Sequence, residues 1–201
     1  MKRFAVAAGV IAAGGAILAG VLVATTGGGS DGDVRGSRPP ARVELPDFTL
    51  RDFRGPSVQS RDTRGKAVLV TFLESKCTES CPIVASLLAR GLRLLRPDER
   101  SRVVALAISM HPGDDTPASV RTFLRRHRAE QALHYLVGTE AELRPVWRAF
   151  QVLPALDTGD PNLHSVPVRI FDPDGVWVST LHAGADLTPA NLRHDVLEAL
   201  S

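Results

Sequence analysis

Residues 66–95 read KAVLVTFLESKCTESCPIVASLLARGLRLL. The first part is a nearly continuous apolar run, Ala67 to Leu73, which suits a strand covered on both faces of a sheet. From Pro82 onward the apolar residues change period: Ile83, Val84, Leu87, Leu88, Leu92 and Leu95 fall at helical spacing. Pro82 fits the first helical position, where a missing N–H costs nothing. The joint between strand and helix holds Cys77 and Cys81, the only two cysteines of the chain. Open α/β sheets place ligands at this carboxyl-terminal edge of their strands.

The pattern repeats downstream. RVVALAISM (102–110) reads as a second buried strand, and TPASVRTFLRRH (116–127) as a helix with Thr116 at its N-cap and Pro117 in its first turn. LHYLVG (133–138) is a short strand, and TEAELRPVWRAFQV (139–152) a helix disturbed near Pro145. VPVRIFDPDGVWVST (166–180) predicts a hairpin turning at Asp172–Gly175. LTPANLRHDVLEAL (187–200) predicts a last helix capped by Thr188. Upstream, PDFTLRDFRG (46–55) reads as a strand and turn. This alternation predicts an α/β sandwich with a mainly parallel central sheet flanked by helices.

Outside the domain, two segments stand apart. Lys2 and Arg3 are the only charges in the first 30 residues, and an uncharged run follows from Phe4 to Thr26. A bilayer core is crossed by about 20 apolar residues in a helix. Residues 1–26 are therefore expected to form a membrane anchor, with a cleaved signal peptide as the alternative. The two cations favour a cytoplasmic N-terminus, which puts the rest of the chain on the extracytoplasmic side. There a cysteine pair can be oxidised. Residues 27–42, GGGSDGDVRGSRPPAR, have the composition of a flexible tether, and the domain is expected to span 43–201.

The 201 residues carry 24 basic and 22 acidic side chains. Setting Lys2 and Arg3 aside leaves the two kinds equal in number, so no basic patch for nucleic acid follows. Neither a Ser/His/Asp order nor a phosphate-binding glycine loop is present. Trp147, Phe150 and Trp177 fit core or half-buried positions. Met110 is the sole methionine besides Met1, so there is no methionine-rich metal tract.

Cys77 and Cys81 admit three readings. Four residues apart at a helix start, two thiols can close a disulfide that staples the turn, work as a redox couple, or hold one metal ion. A helix N-terminus favours thiolate, which is both nucleophile and ligand. A staple closing so short a loop constrains the unfolded chain little. Two sulfurs need a third donor to hold a metal. Of the six histidines, His127 and His194 read as helix-surface residues, and His134 and His182 lie in or near strands. His164 ends a Gly/Pro/Asp-rich loop immediately before a strand, where ligands are often presented. His111 follows the second buried strand, and Asp114 and Asp115 beside it read as helix-capping residues.

LPDFTLRD (45–52), GKAVLVTFLESKCTESCP (65–82), ISMHPGDDTPASVRTFL (108–124) and HSVPVRIFDPDG (164–175) resemble, in order, the blocks of the SCO/SenC family. The resemblance runs from about Leu45 to the C-terminus. Its most specific element is C-x-x-x-C-P with a distant histidine at the start of a late strand. It implies a thioredoxin-like fold and a membrane-anchored copper chaperone of cytochrome c oxidase assembly, in which Cys77, Cys81 and His164 bind copper. The implied partner is the oxidase subunit that carries a dinuclear copper centre. Two soft sulfurs and one imidazole suit Cu(I) and tolerate Cu(II) or Zn(II). The alternative the resemblance permits is a thiol–disulfide reductant acting through Cys77 and Cys81 on a partner's cysteines. His111 departs from the family, which usually has aspartate there; it reads first as a solvated loop histidine, with a further or transient ligand as the alternative.

Overall fold

The structure, a computed structural model, describes residues 33–152 and 166–201. Seven strands form one sheet: β1 (Thr49–Asp52), β2 (Ser57–Gln59), β3 (Ala67–Leu73), β4 (Val103–Ser109), β5 (His134–Val137), β6 (Pro167–Phe171) and β7 (Trp177–His182). The helices are α1 (Ser80–Leu92), α2 (Pro97–Ser101), α3 (Pro117–Arg126), α4 (Glu140–Ala149) and α5 (Pro189–Ala199), with a 3-10 turn at Ser60–Thr63.

The strand order is β2-β1-β5-β4-β3-β6-β7. Pairings β3/β4 and β4/β5 are parallel. The pairings β1/β2, β1/β5, β3/β6 and β6/β7 are antiparallel. The sheet is thus mixed, which corrects the mainly parallel expectation. The physical reason lies in the connections. β3-α1-β4 and β4-α3-β5 are helical crossovers that return the chain in the same direction, whereas β6 and β7 share a tight turn, which joins only antiparallel strands.

All seven residues of β3 are buried. Ala67, Leu69 and Leu73 face one cluster with Val84, Ala85, Leu88 and Leu92 of α1, Val120, Phe123 and Leu124 of α3, and Leu192 and Val196 of α5. Val68, Val70 and Phe72 face the other with Leu143, Val146 and Trp147 of α4, Phe48 and Phe150. A strand whose alternating side chains all enter a core has no polar face to show, and the sequence reads accordingly.

The helix starts largely follow the sequence. The hydroxyls of Thr116 and Thr188 accept the N–H groups of Ser119 and Asn191 at 3.2 and 3.1 Å. Thr139 and Glu142 form a reciprocal capping box at the start of α4. Pro145 does not break α4: it is exposed, and so is Ala141, whose carbonyl it leaves unpaired toward water. Helix α1 starts at Ser80, so Pro82 is its third residue; the N–H of that position also has no intrahelical partner. The hairpin turns as expected, with Gly175 at φ 79° donating to the Asp172 carbonyl at 2.9 Å.

Residues 1–26, read as a membrane anchor, lie outside the described residues. No helix among the described residues is long and apolar enough to cross a membrane. The expected tether is held where it is described. Ser37 and Thr180 exchange both backbone hydrogen bonds, at 2.9 and 2.8 Å, so the segment adds to the outer edge of β7. The fully buried carboxylate of Asp195 receives the N–H of Arg35 at 2.7 Å, the N–H of Gly36 at 3.0 Å and the Ser179 hydroxyl at 2.5 Å. Gly36 is required there: a Cβ would stand 2.3 Å from the Thr180 carbonyl oxygen. Composition cannot reveal this docking, because backbone amides make it and an edge strand offers the partners.

Replacing Asp195 by Ala leaves the two amides and the Ser179 hydroxyl without their acceptor. We expect a loss of about 1–3 kcal/mol in urea unfolding, together with faster hydrogen exchange at the Arg35, Gly36 and Ser37 amides. Unchanged exchange at those three amides would disprove the pin.

Candidate metal and thiol site

The carboxyl ends of β3 and β4 carry the reactive groups. Buried β3 ends at Leu73, and the chain turns through Glu74, Ser75, Lys76 and Cys77 before α1 begins. Cys77 is half-buried, Cys81 is fully buried in the first turn of α1, and both are free thiols, so the disulfide staple is not what this structure holds. The Cys81 backbone N–H donates to the Cys77 sulfur at 3.4 Å. That N–H belongs to the orphan donors of a helix start. The N-cap residue, Glu79, makes no side-chain cap, and the first turn holds no acidic residue. The Cys77 sulfur thus takes the place of a capping oxygen, where the helix dipole favours negative charge.

The two thiols differ sharply. The Cys81 S–H hydrogen bonds to Cys77 and does most to lower the Cys77 pKa to about 4; burial opposes this, and the N–H groups of Cys81 and Glu79 and the Ser80 hydroxyl reinforce it. The same bond to the Cys77 sulfur, together with burial, pushes the Cys81 thiol up. At neutral pH the pair is one exposed-edge thiolate beside one buried thiol.

The loop after β4 completes this edge. Asp115 is buried and accepts the Ser75 N–H at 2.7 Å, the Ser109 hydroxyl at 2.6 Å and the Tyr135 hydroxyl at 2.9 Å. Tyr135 shares its one hydroxyl proton between Asp115 and the Leu73 carbonyl, which also lies at 2.9 Å. Asp114 pairs with Lys76 at 2.5 Å and approaches His111 Nδ1 at 3.3 Å. Asp114 and Asp115, expected to cap a helix, do not cap α3 with their side chains; Thr116 does that alone. Burial pushes the Glu74 carboxyl up. Glu74, His111 and Asp114 bring ligand atoms within 4.8 Å of one another.

Among the predicted site residues, the structure brings Cys77 and Cys81 together and sets His111 on the same edge. His164 and the loop Pro154–Leu163 lie outside the described residues. Glu74 was not singled out by sequence reasoning; its signal is a lone carboxylate directly after a nearly continuous apolar run. Met110, Trp147 and Phe150 are buried and Trp177 is half-buried, as their patterns predict.

The family model described as SCO1/SenC matches residues 37–200. The chain belongs to this family. A yeast relative, the mitochondrial protein SCO2 of Saccharomyces cerevisiae, is 26% identical over 145 residues, which make up 69% of this chain and 48% of that protein. The chain thus spans about half the length of that curated relative. A protein of Stutzerimonas stutzeri described as a putative copper-binding protein is 26% identical over 140 residues, 68% of each chain. Bradyrhizobium japonicum ScoI, solved with copper bound, superposes with a TM-score of 0.65 at 27% identity over 79% of this chain and all of that one. BsSco, described as a member of the Sco family of cytochrome c oxidase assembly proteins with a disulfide switch, gives a TM-score of 0.67 at 22% identity, covering 81% and 96% of the two chains. The thioredoxin-like α/β fold is common to these structures and this SCO1/SenC member.

The depressed Cys77 pKa has a direct consequence. Only thiolate reacts with iodoacetamide, so alkylation of Cys77 should persist as pH falls through 6 and be lost around pH 4, the folded-state value. Cys81→Ala removes the S–H donor, and the midpoint should move back up toward the ordinary thiol value of about 8.5. A wild-type midpoint near 8 would contradict the capped-thiolate geometry.

Proposed function

We propose that this protein binds copper through Cys77, Cys81 and His164 and delivers it, outside the cytoplasm, to the oxidase subunit that carries the dinuclear copper centre of cytochrome c oxidase. The observation that carries the reading is the pair of free thiols at the sheet edge, one held as thiolate by the N–H of Cys81 and by the Cys81 S–H. Thiolates with an imidazole form a soft donor set suited to Cu(I).

His164 is supported by connectivity. β6 runs antiparallel beside β3, pairing Arg169 with Val70 and Phe171 with Val68, so its start is directed toward the end of β3 that leads to Cys77. His164 precedes Val166 by two residues, a reach of at most about 7 Å of extended chain. A low-coordinate site at an exposed edge yields its ion to an acceptor more readily than a closed four-ligand site. Copper is the cargo in this reading, and metal binding displaces the thiol protons, so affinity falls with acid. Support for the extracytoplasmic side comes from Lys2 and Arg3 ahead of the apolar run Phe4–Thr26. Copper-bound Bradyrhizobium ScoI and the oxidase-assembly description of BsSco support the cargo and the acceptor.

A second reading, thiol–disulfide reduction, is favoured by the unequal thiols. Thiolate Cys77 attacks a partner disulfide and forms a mixed disulfide. Cys81 then loses its proton and displaces the partner sulfur, leaving Cys77–Cys81 oxidised and the partner reduced.

Anaerobic Cu(I) titration of the full chain in detergent, against a chromophoric chelator, separates the two. Delivery predicts one Cu(I) per chain, loss of binding in Cys77→Ser and Cys81→Ser, and at least about tenfold weakening, ~1.4 kcal/mol, in His164→Ala. Unchanged affinity in His164→Ala, with rapid reduction of a disulfide substrate by wild type, would favour reduction instead.

A further inference from the structure

Beside the sulfur pair lies a second set of donors with the opposite chemistry. Glu74 directly follows β3, His111 stands two residues past the end of β4, and Asp114 sits in the turn that His111 opens, its N–H donating to the His111 carbonyl at 3.1 Å. Adjacent parallel strands therefore deliver these side chains to one point, and their ligand atoms lie within 4.8 Å of one another.

Three observations separate this set from an ordinary surface ion-pair cluster. First, the His111 Nδ1 is shielded from solvent and makes no hydrogen bond, although Asp114 Oδ2 is 3.3 Å away. Shielded polar atoms without a partner are uncommon, and an ion between the imidazole and the carboxylate would satisfy both. That spacing equals the edge of a tetrahedron whose ligands lie about 2.0–2.1 Å from a central ion, the usual range for nitrogen and oxygen on zinc. Second, the half-buried Glu74 carboxylate accepts no hydrogen bond and joins no ion pair among the described residues, so it too lacks a counter-charge in contact. Third, the cation that does touch the set is held by the other oxygen. Lys76 Nζ contacts Asp114 Oδ1, and its side chain is 62% exposed, free to swing into water.

We propose that Glu74, His111 and Asp114 form a second metal site that binds one divalent first-row transition ion, Cu(II) or Zn(II), through one imidazole nitrogen and two carboxylate oxygens. Two carboxylates match the charge of a divalent ion, and nitrogen and oxygen donors favour it over Cu(I), which the thiolates prefer. The site uses neither sulfur. It lies one short turn away, with the Cys77 N–H donating to the Glu74 carbonyl at 3.3 Å. One sheet edge thus offers separate soft and hard donors. Water or an incoming protein group supplies the remaining coordination, so the bound ion stays exchangeable.

The test removes the soft site first, so that its outcome is independent of the copper-delivery reading. In the full chain carrying Cys77→Ser, Cys81→Ser and His164→Ala, Cu(II) is titrated under electron paramagnetic resonance and Zn(II) by calorimetry, with circular dichroism melts as the check on folding. One Cu(II) per chain is expected, with a spectrum showing nitrogen and oxygen but no sulfur coordination. Adding His111→Ala or Glu74→Gln should weaken binding at least tenfold, and adding Lys76→Ala, which removes the competing cation, should strengthen it. Absence of stoichiometric binding, or affinity that neither His111→Ala nor Glu74→Gln alters, would overturn the site. Should His111→Ala fail to fold, Glu74→Gln, a near-isosteric change on a half-buried side chain, decides the matter.

Discussion

A single buried carboxylate organises the working edge of this molecule. Asp115 accepts from the backbone after β3, through Ser75 N–H, from the end of β4, through the Ser109 hydroxyl, and from β5, through the Tyr135 hydroxyl. A charge this deeply enclosed persists only when donors surround it. Here the donors come from β3's following turn, the end of β4 and the start of β5, three neighbouring parallel strands, so the carboxylate can be satisfied only when those strands are in register. Tyr135 reinforces the constraint by sharing its one proton with the Leu73 carbonyl, while burial pushes its own pKa up. The turn that carries Cys77 contains Ser75, and Cys77 lies two residues beyond it. Its position is inherited from the sheet.

On that rigid base the thiols are unequal for a reason that is local and electrostatic. A helix start has N–H groups to spare, and no acidic residue in the first turn of α1 competes for them. The Cys77 sulfur accepts one, and the Cys81 S–H adds a second donor from one helical turn away. The widened C-x-x-x-C spacing puts Cys81 inside the helix, buried and protonated, while Cys77 remains outside it, half-exposed and anionic. Either a soft metal or a disulfide can be met by such a pair. In both chemistries the cost of ionising one thiol has been offset before the encounter.

Much of this was legible in advance because it is local. A nearly continuous apolar run in β3, helical spacing after Pro82, and Thr116 and Thr188 ahead of prolines are patterns within a dozen residues. Local patterns report periodicity and capping, which depend on near neighbours. Asp115 lies beyond the reach of such local patterns. A polar residue just ahead of a helix looks like a cap, and nothing nearby announces that Tyr135 and Ser75 will converge on it. Arg35–Ser37 likewise has the composition of a free tether, because the acceptors Asp195 and Thr180 that hold it lie more than 140 residues away.

The amino-acid order by itself determined the alternation of strands and helices, the placement of both cysteines at a strand-to-helix joint, and a match to the SCO1/SenC family along nearly the whole domain. Only the tertiary structure decided that the sheet is mixed, that Asp115 is a buried anchor, and that Glu74 meets His111 and Asp114 across two strands. Those facts depend on strand order and register. Hydrophobic periodicity shows that a strand is buried, but it does not say which strand lies beside it or which residues end up opposite one another.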